Sequence, residues 1–168
     1  YANKYNKSVH LIGLLSDGGI HSHDSHLIHL CELADKAGLN NVYIHAFTDG
    51  RDCDPKSGIR FIENLEKKIE KFSAQLISVI GRYYAMDRDK RWERIKLAYD
   101  LMVHSKGEKS QNIAEAVQNS YDKNITDEFI EPISKVDNDG NHIAKIEEDD
   151  VVICFNFRTD RCREISTV

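Results

Sequence analysis

Residues 9–23 read VHLIGLLSDGGIHSH, and this stretch decides the fold. Its first half, residues 9–15, is dominated by aliphatic side chains, which is typical of a strand buried on both faces of a parallel sheet. Its second half, residues 16–23, is polar and contains Gly18 and Gly19, which predict a turn directly after the strand. The stretch therefore predicts a buried strand whose carboxyl end opens into a polar loop.

The same two-part pattern recurs three more times along the chain. The further apolar runs are VYIHAFT at 42–48, QLISVIG at 75–81 and VVICFN at 151–156. The polar stretches that follow them are DGRD at 49–52, GRYYAMDR at 81–88 and NFRTDR at 156–161. Each predicted strand thus ends in a loop that could carry chemistry.

Apolar residues at helical spacing follow each of the first three strands. The sets are Leu27, Leu30, Cys31 and Ala34; Ile62, Leu65, Ile69 and Phe72; and Trp92, Ile95, Tyr99 and Met102. Asp54 is the predicted N-cap of the second helix, and Ser110 that of a shorter fourth helix. This alternation predicts an α/β fold of three layers, α/β/α, with helices on both faces of a mainly parallel sheet. We interpret residues 1–168 as a single domain.

Residues 125–150 show a different pattern. Pro132 within FIEPIS, at 129–134, favours an edge strand over a central one because proline cannot donate to the ladder. The Asp-Gly turn signal in DNDGNH, at 137–142, indicates a hairpin. The sequence therefore predicts an antiparallel hairpin at the edge of the sheet.

Composition limits the class of protein. The 168 residues are 40% hydrophobic and 30% charged, as in an ordinary globular domain. A net charge of −5 argues against nucleic acid or an acidic membrane surface as a partner, and no apolar run approaches the length of a membrane span. None of the four cysteines forms a C-x-x-C pair, so we expect reduced thiols in a cytoplasmic protein. The four are Cys31, Cys53, Cys154 and Cys162.

The loops after the strands should meet, because ligands of open parallel sheets bind at the carboxyl ends of the strands. Five of the nine arginines lie in these loops although the chain is acidic overall. Guanidinium groups bind carboxylate and phosphate oxygens in pairs, so converging arginines predict a site for a small, multiply anionic ligand. The candidate residues in the loops are Asp17, His21, His23, Asp49, Arg51, Asp52, Arg82, Arg88, Arg158 and Arg161.

Three alternatives stay open at this level. Individual arginines could pair with acids next to them in sequence, as in Arg51 with Asp49 or Asp52, Arg88 with Asp87, and Arg161 with Asp160. The histidines at 21, 23, 26 and 29 could bind a metal, although their spacing turns 26 and 29 onto a solvated helix face. His21, in the loop, could instead move a proton, and Asp52 could act as a general base or merely form an N-cap or ion pair.

Four motifs resemble one known family. They are GLLSDGGIHSH at 13–23, AFTDGRD at 46–52, GRYYAMDRDKRW at 81–92 and FNFRTDR at 155–161. In order and spacing they are similar to the cofactor-independent, that is 2,3-bisphosphoglycerate-independent, phosphoglycerate mutases. The resemblance implies a phosphotransferase domain inserted into a phosphatase domain that holds two manganese ions and a phosphorylatable serine. The chain covers only the inserted domain, so we expect no metal in it and no mutase activity from it alone.

The resemblance also implies roles for individual residues. The substrate, 3-phosphoglycerate or 2-phosphoglycerate, would contact His21, Arg51, Asp52, Arg82, Arg88, Arg158 and Arg161. Asp52 would act as the acid/base on the substrate hydroxyls, with His21 assisting. Two alternatives to the mutase hypothesis are a non-catalytic anion-binding module and a metal-dependent phosphohydrolase that uses the acids and histidines of the loops.

Overall fold

Six strands form one sheet in this computed structural model, which describes all 168 residues. The strands are β1 (Val9–Leu15), β2 (Val42–Thr48), β3 (Ala74–Gly81), β4 (Glu108–Ser110), β5 (Ile133–Lys135) and β6 (Val151–Cys154). The helices are α1 (Ala2–Tyr5), α2 (Asp24–Lys36), α3 (Gly58–Ile69), α4 (Arg82–Ala85), α5 (Trp92–His104) and α6 (Ile113–Asp122). Two short 3₁₀ turns lie at Asp127–Phe129 and Thr159–Arg161.

The sheet order is β4-β5-β3-β2-β1-β6. Strands β3, β2, β1 and β6 are parallel, with Val9 of β1 in register with Val42 on one side and Val151 on the other. Strand β5 runs antiparallel to β3, and β4 is parallel to β5. The predicted mainly parallel α/β sheet is therefore confirmed.

Helices cover both faces of this sheet, which confirms the three layers. On one face, α2, α3 and α6 pack against the apolar side chains of β1 and β2 that include Leu11 and Ile44. On the other face, α5 packs through Ile95 and Met102 against Phe47 and its neighbours. The alternation of β1 side chains between these two cores explains why its whole apolar run is buried. No helix has both the length and the apolar character that a membrane crossing requires.

The antiparallel strand lies one place in from the edge predicted for it. A bridge between Val136 and His142 supplies the turn after β5, but the short strand β4 occupies the edge of the sheet. The carbonyl of Pro132 accepts a hydrogen bond from the Glu108 amide at 2.8 Å, so the strand that follows this proline is covered. Strand β4 has three polar residues and no apolar alternation, which explains why the sequence did not indicate it.

Both predicted N-caps were wrong. Helix α3 begins at Gly58, and Asp54 forms a local turn in which its carboxylate accepts from the Lys56 amide. Helix α6 is capped by Asn112, whose side chain accepts from the Glu115 amide at 3.2 Å. Short polar side chains stabilise turns and caps through the same local hydrogen bonds, so the residue type alone does not place a helix start.

A line of buried polar groups crosses the sheet beneath α5. The carboxylate of Asp150 lies 3.3 Å from Nε2 of His10, whose Nδ1 lies 3.0 Å from Nε2 of His45. Nδ1 of His45 lies 2.7 Å from the Ser78 hydroxyl. Burial lowers the pKa of His10, and it lowers the pKa of His45 to about 3, so both imidazoles are neutral in the folded chain near neutral pH.

Acid should destabilise the chain through this pair. An unfolded histidine takes up a proton below a pKa of about 6.5, whereas folded His45 stays neutral down to about pH 3. The free energy of unfolding should therefore fall by about 1.4 kcal/mol per pH unit for His45 as pH drops below about 6.5. Urea unfolding between pH 7.5 and 5 measures this slope. His45→Gln should reduce it and His29→Gln, on the exposed face of α2, should not; equal slopes in the two variants would contradict the assignment.

Candidate functional site

A cavity of about 420 Å³ opens where the loops after β2, β3 and β6 meet. It is cationic, because its twelve lining residues include six arginines and only three acids, Asp87, Asp89 and Glu128. These arginines are Arg51, Arg82, Arg88, Arg91, Arg94 and Arg161. The structure thus brings together arginines from three of the four predicted loops. The fourth loop, after β1, adjoins the same region through His21, whose ring lies within 4 Å of both Asp52 and Asp160.

Asp49 organises the turn after β2. Its carboxylate accepts from the Ser16 hydroxyl at 2.6 Å, from Nη1 of Arg82 at 2.7 Å, and from the amides of Arg51 and Asp52. Burial by itself would raise the pKa of Asp49, but these donors outweigh it and hold the pKa below its ordinary value. Asp49 is therefore a buried carboxylate that sets the direction in which Arg51 and Asp52 leave the strand.

The turn also depends on Gly50. Its φ of +65° lies in the left-handed region that favours glycine, and a Cβ at this position would lie 2.8 Å from both the Asp127 Cβ and the Glu128 amide nitrogen. The 3₁₀ turn at Asp127–Phe129 thus packs directly on the loop. This contact brings Glu128, far away in sequence, to the wall of the cavity.

Arg82 joins the two acids of this loop. It is the first residue of α4, its side chain is 5% exposed, and its Nη1 contacts Asp49 at 2.7 Å and Asp52 at 2.6 Å. Burial by itself would lower the pKa of this guanidinium, but its hydrogen bonds to Asp52 and Asp49 raise it. Arg82, which lines the cavity, is thus a fixed cation that holds the Asp52 carboxylate next to it.

His21 lies next to that carboxylate. Its Nε2 is 3.7 Å from Oδ2 of Asp52 and its Nδ1 is 3.9 Å from Oδ1 of Asp160. The ring is buried, and Nδ1 has no hydrogen-bond partner. Burial, followed by the charge of Arg82, lowers the pKa of His21 against the opposing effect of Asp52. A neutral imidazole and a half-buried carboxylate in this arrangement can exchange a proton with a bound hydroxyl group.

Three of the predicted arginines have only loose partners. Arg51 lies 3.4 Å from Glu128, while Arg88 and Arg158 share Asp160 at 3.3 and 3.0 Å. All three side chains are about half exposed or more, and ion pairs of this kind contribute about 0–1 kcal/mol. A bound anion could therefore replace these carboxylates at little cost.

Arg161 differs from the other predicted arginines because no carboxylate lies within 4.0 Å of it. Its Nη1 donates to the Met86 carbonyl at 3.1 Å, and its buried Nε has no partner. Burial lowers the pKa of this guanidinium, and the charges of Arg88 and Arg82 lower it further. Arg161 therefore carries a positive charge with no carboxylate in contact, and Asp160 offsets it only from beyond 4.0 Å.

None of the three named pairings with neighbouring acids forms, although Arg158 does pair with Asp160, two residues further along the chain. The side chain of Arg51 contacts Glu128 and that of Arg88 contacts Asp160, while Asp87 binds Arg91 and Arg94 instead. Arg94 also stacks over the Tyr83 ring at 3.8 Å. Arg91 and Arg94 thus line the cavity but are held by their own partners, and the pairings predicted for Arg51, Arg88 and Arg161 were wrong.

The remaining histidines have other roles. His23 is the N-cap of α2, where its Nδ1 accepts from the Ser25 amide, and His26 and His29 lie on the exposed face as predicted. Asp17, another member of the proposed metal set, lies 3.5 Å from Arg60. No group of three or more His, Cys, Asp or Glu side chains is arranged to hold a metal ion.

Sequence reasoning named Asp49 as a candidate but gave it no role, although its place directly after β2 in the DGRD motif was visible. Two further contributors, Glu128 and Asp160, were not among the candidates. Glu128 and Asp160 could be found only from the fold, because they meet Arg51 and Arg88 across 77 and 72 residues of sequence.

The fold and the site define the class of protein: an open α/β domain with an arginine-lined cavity at the carboxyl ends of its parallel strands. Residues 1–168 match the family model described as the N-terminus of BPG-independent PGAM, and the chain belongs to this family.

Named relatives agree with this assignment. The 2,3-bisphosphoglycerate-independent phosphoglycerate mutases of Flavobacterium psychrophilum and Parabacteroides distasonis are 64% and 52% identical to the chain over 99% and 100% of its length. A solved structure described as Leishmania mexicana phosphoglycerate mutase at low cobalt concentration matches 95% of the chain with a TM-score of 0.90 and 34% identity. The chain spans about a third of each relative, 33% of the two bacterial proteins and 31% of the solved chain.

Proposed function

We propose that this chain is the substrate-holding domain of a mutase that interconverts 3-phosphoglycerate and 2-phosphoglycerate in the cytoplasm. In this proposal, residues 1–168 form the phosphotransferase domain, and a covalently linked phosphatase domain completes the enzyme. The names of the relatives support the reaction, and their greater length supports the second domain. The observation that carries the proposal is Arg161, a partly buried cation without a carboxylate partner in a cavity lined by arginines.

The cavity suits a ligand with two anionic groups. Phosphoglycerate carries a phosphate and a carboxylate on a three-carbon chain, and guanidinium forks bind both types of oxygen bidentately. Arg161 offers a charge without a carboxylate in contact, and Arg51 and Arg88 offer charges held only by exposed, loose pairs. Arg158 does not line the cavity, but it shares Asp160 with Arg88. A mutase must keep the dephosphorylated glycerate bound between its two steps, and a carboxylate held by several arginines meets this need.

Asp52 and His21 are the groups that move protons in this proposal. When the phosphoryl group leaves a substrate oxygen, that oxygen takes up a proton, and the other hydroxyl gives one up when the phosphoryl group returns. Asp52 is oriented by Arg82 and lies next to the neutral ring of His21, so the pair can donate or accept at the reacting hydroxyls. Arg82 also supplies positive charge near the transferring group.

The phosphoryl acceptor belongs to the second domain. Two serines lie near the site in this chain, but the hydroxyl of Ser16 donates to Asp49 and that of Ser22 donates to the Leu14 carbonyl. Both serines are buried and already bonded, which favours an acceptor serine elsewhere. When bound to the phosphatase domain, two manganese ions would supply neutralising charge for the transferred phosphoryl group, and no residue of this chain is assigned to them.

A titration of the chain with 3-phosphoglycerate tests whether Arg161 binds the substrate. Arg161→Ala should weaken binding about tenfold or more, because a charge-assisted hydrogen bond contributes about 1.5–3 kcal/mol. Arg163→Ala is the matched control, since Arg163 is exposed and forms no ion pair. Amide chemical shifts of the isolated chain give both the affinity and the loops that respond. The proposal fails if the two variants bind 3-phosphoglycerate equally, or if the chemical-shift changes avoid the loops after the strands.

The isolated chain, prepared without metal, should not interconvert the two phosphoglycerates.

A further inference from the structure

Two cysteines bracket the loop that carries Arg158 and Arg161. Cys154 is the last residue of β6, and Cys162 directly follows the 3₁₀ turn at Thr159–Arg161. Their sulfur atoms lie 3.0 Å apart, and neither thiol is in a disulfide. The distance between the thiols is short enough that a covalent bond requires only a small movement of the loop.

Cys154 is the accessible member of this pair. It is half-buried and lines a cavity of about 490 Å³ on the α5 face of the sheet, together with apolar side chains such as Met102 and Ile165. Cys162 lies behind it and is 9% exposed. A small oxidant that enters this cavity therefore meets the Cys154 sulfur first.

The surroundings also favour the thiolate of Cys154. The hydrogen bond between the two thiols lowers the pKa of Cys154 below that of an ordinary thiol, against the opposing effect of burial. Burial raises the pKa of Cys31 to about 12, and Cys31 lies in the core between α2 and the sheet. Since the thiolate is the reactive form, Cys154 should react far faster than Cys31.

We propose that Cys154 and Cys162 form an oxidation site for hydroperoxides that ends in a disulfide. The Cys154 thiolate attacks the terminal hydroperoxide oxygen, the O–O bond breaks, and the alkoxide or hydroxide released takes up a proton. This step yields a sulfenic acid on Cys154. The sulfur of Cys162 then attacks the sulfenic sulfur, loses its proton, and displaces water. Overall, two thiols and one hydroperoxide give one disulfide, one alcohol or water, and one further water.

The disulfide would alter the arginine loop. Bond formation shortens the distance between the sulfurs from 3.0 Å to about 2.05 Å. Arg161 precedes Cys162 directly and holds the Met86 carbonyl, while the amides of Phe157 and Arg158 contact the His21 carbonyl. A displacement of about 1 Å at a substrate-positioning group can lower a rate roughly 10²-fold. Oxidation should therefore inhibit the mutase at least about tenfold, a consequence that rests on the proposed function.

Mass spectrometry of the full-length protein tests the thiol pair without reference to activity. After treatment with hydrogen peroxide, wild-type protein and Cys31→Ala should both contain a cross-link between Cys154 and Cys162. Cys162→Ala should instead accumulate a sulfenic acid on Cys154 that a 1,3-diketone traps. The proposed disulfide between Cys154 and Cys162 is refuted if oxidised wild-type protein keeps the Cys154 sulfenic acid or cross-links other cysteines.

Mutase assays on the same samples test the consequence. Wild-type protein should lose activity on oxidation and regain it with dithiothreitol, in parallel with loss of the cross-link. A cross-linked protein with full activity would overturn the effect on the site. If the reduced protein has no mutase activity, the proposed function fails. The mass spectrometry still shows in that case whether Cys154 and Cys162 form the proposed oxidation site.

Discussion

Replacing Asp52 by asparagine in the full-length protein should lower kcat about 10²- to 10⁴-fold, the range that a positioned acid/base contributes. In the wild-type chain, Nη1 of Arg82 lies 2.6 Å from the Asp52 carboxylate. The asparagine oxygen can still accept this hydrogen bond, but the side chain can no longer carry a proton. The loss should fall on kcat more than on KM, because the arginines that would hold the anionic groups remain. Steady-state kinetics with 3-phosphoglycerate measures both constants.

Asp54→Asn provides the matched control for this change. Asp54 is exposed and lies two residues further along the same loop, and its carboxylate accepts only from the Lys56 amide, which an asparagine side chain also allows. Turnover in this variant should match that of the wild-type protein. If Asp52→Asn also turned over normally, and Arg158→Ala did likewise, the anion-binding module would replace the mutase as the explanation of this cavity.

Replacing Asp49 by alanine should destabilise the folded chain by about 3–5 kcal/mol, the usual cost of removing one partner from a buried ion pair. Arg82 would keep only Asp52 as a partner, and the Ser16 hydroxyl and two loop amides would lose their acceptor. Unfolding in urea measures the change.

Asp17→Ala is the control for Asp49. Asp17 lies in the neighbouring loop, is about half exposed, and faces Arg60 at 3.5 Å, so its loss should cost less than about 1 kcal/mol. Comparable stability in the two variants would mean that Asp49 does not hold the loop. Asp49→Asn keeps an oxygen acceptor but removes the charge. Its loss of stability should lie between those of Asp49→Ala and Asp17→Ala, which separates the contribution of hydrogen bonding from that of charge.

Much of the architecture could be predicted because strands and helices leave local periodic patterns. The apolar run at 9–15 coincides with β1, and the spacing of Leu27, Cys31 and Ala34 places the buried face of α2. The errors occur where that signal is weak. Strand β4 is short and polar, and Asp54 and Ser110 can stabilise turns as well as helix starts.

Some features of the candidate site could likewise be predicted from the sequence, and others required the fold. The sequence by itself determined that four polar loops follow buried strands, that five of the nine arginines lie in them, and that His21 and Asp52 are their candidate proton carriers. Only the tertiary structure decided which charges are neutralised. Arg51 meets Glu128, Arg88 meets Asp160, and Arg161 meets no carboxylate. The physical reason is that burial patterns repeat along the chain, whereas Coulomb interactions depend on distance in space. Chain folding brings together groups more than seventy residues apart, and no local pattern records those distances.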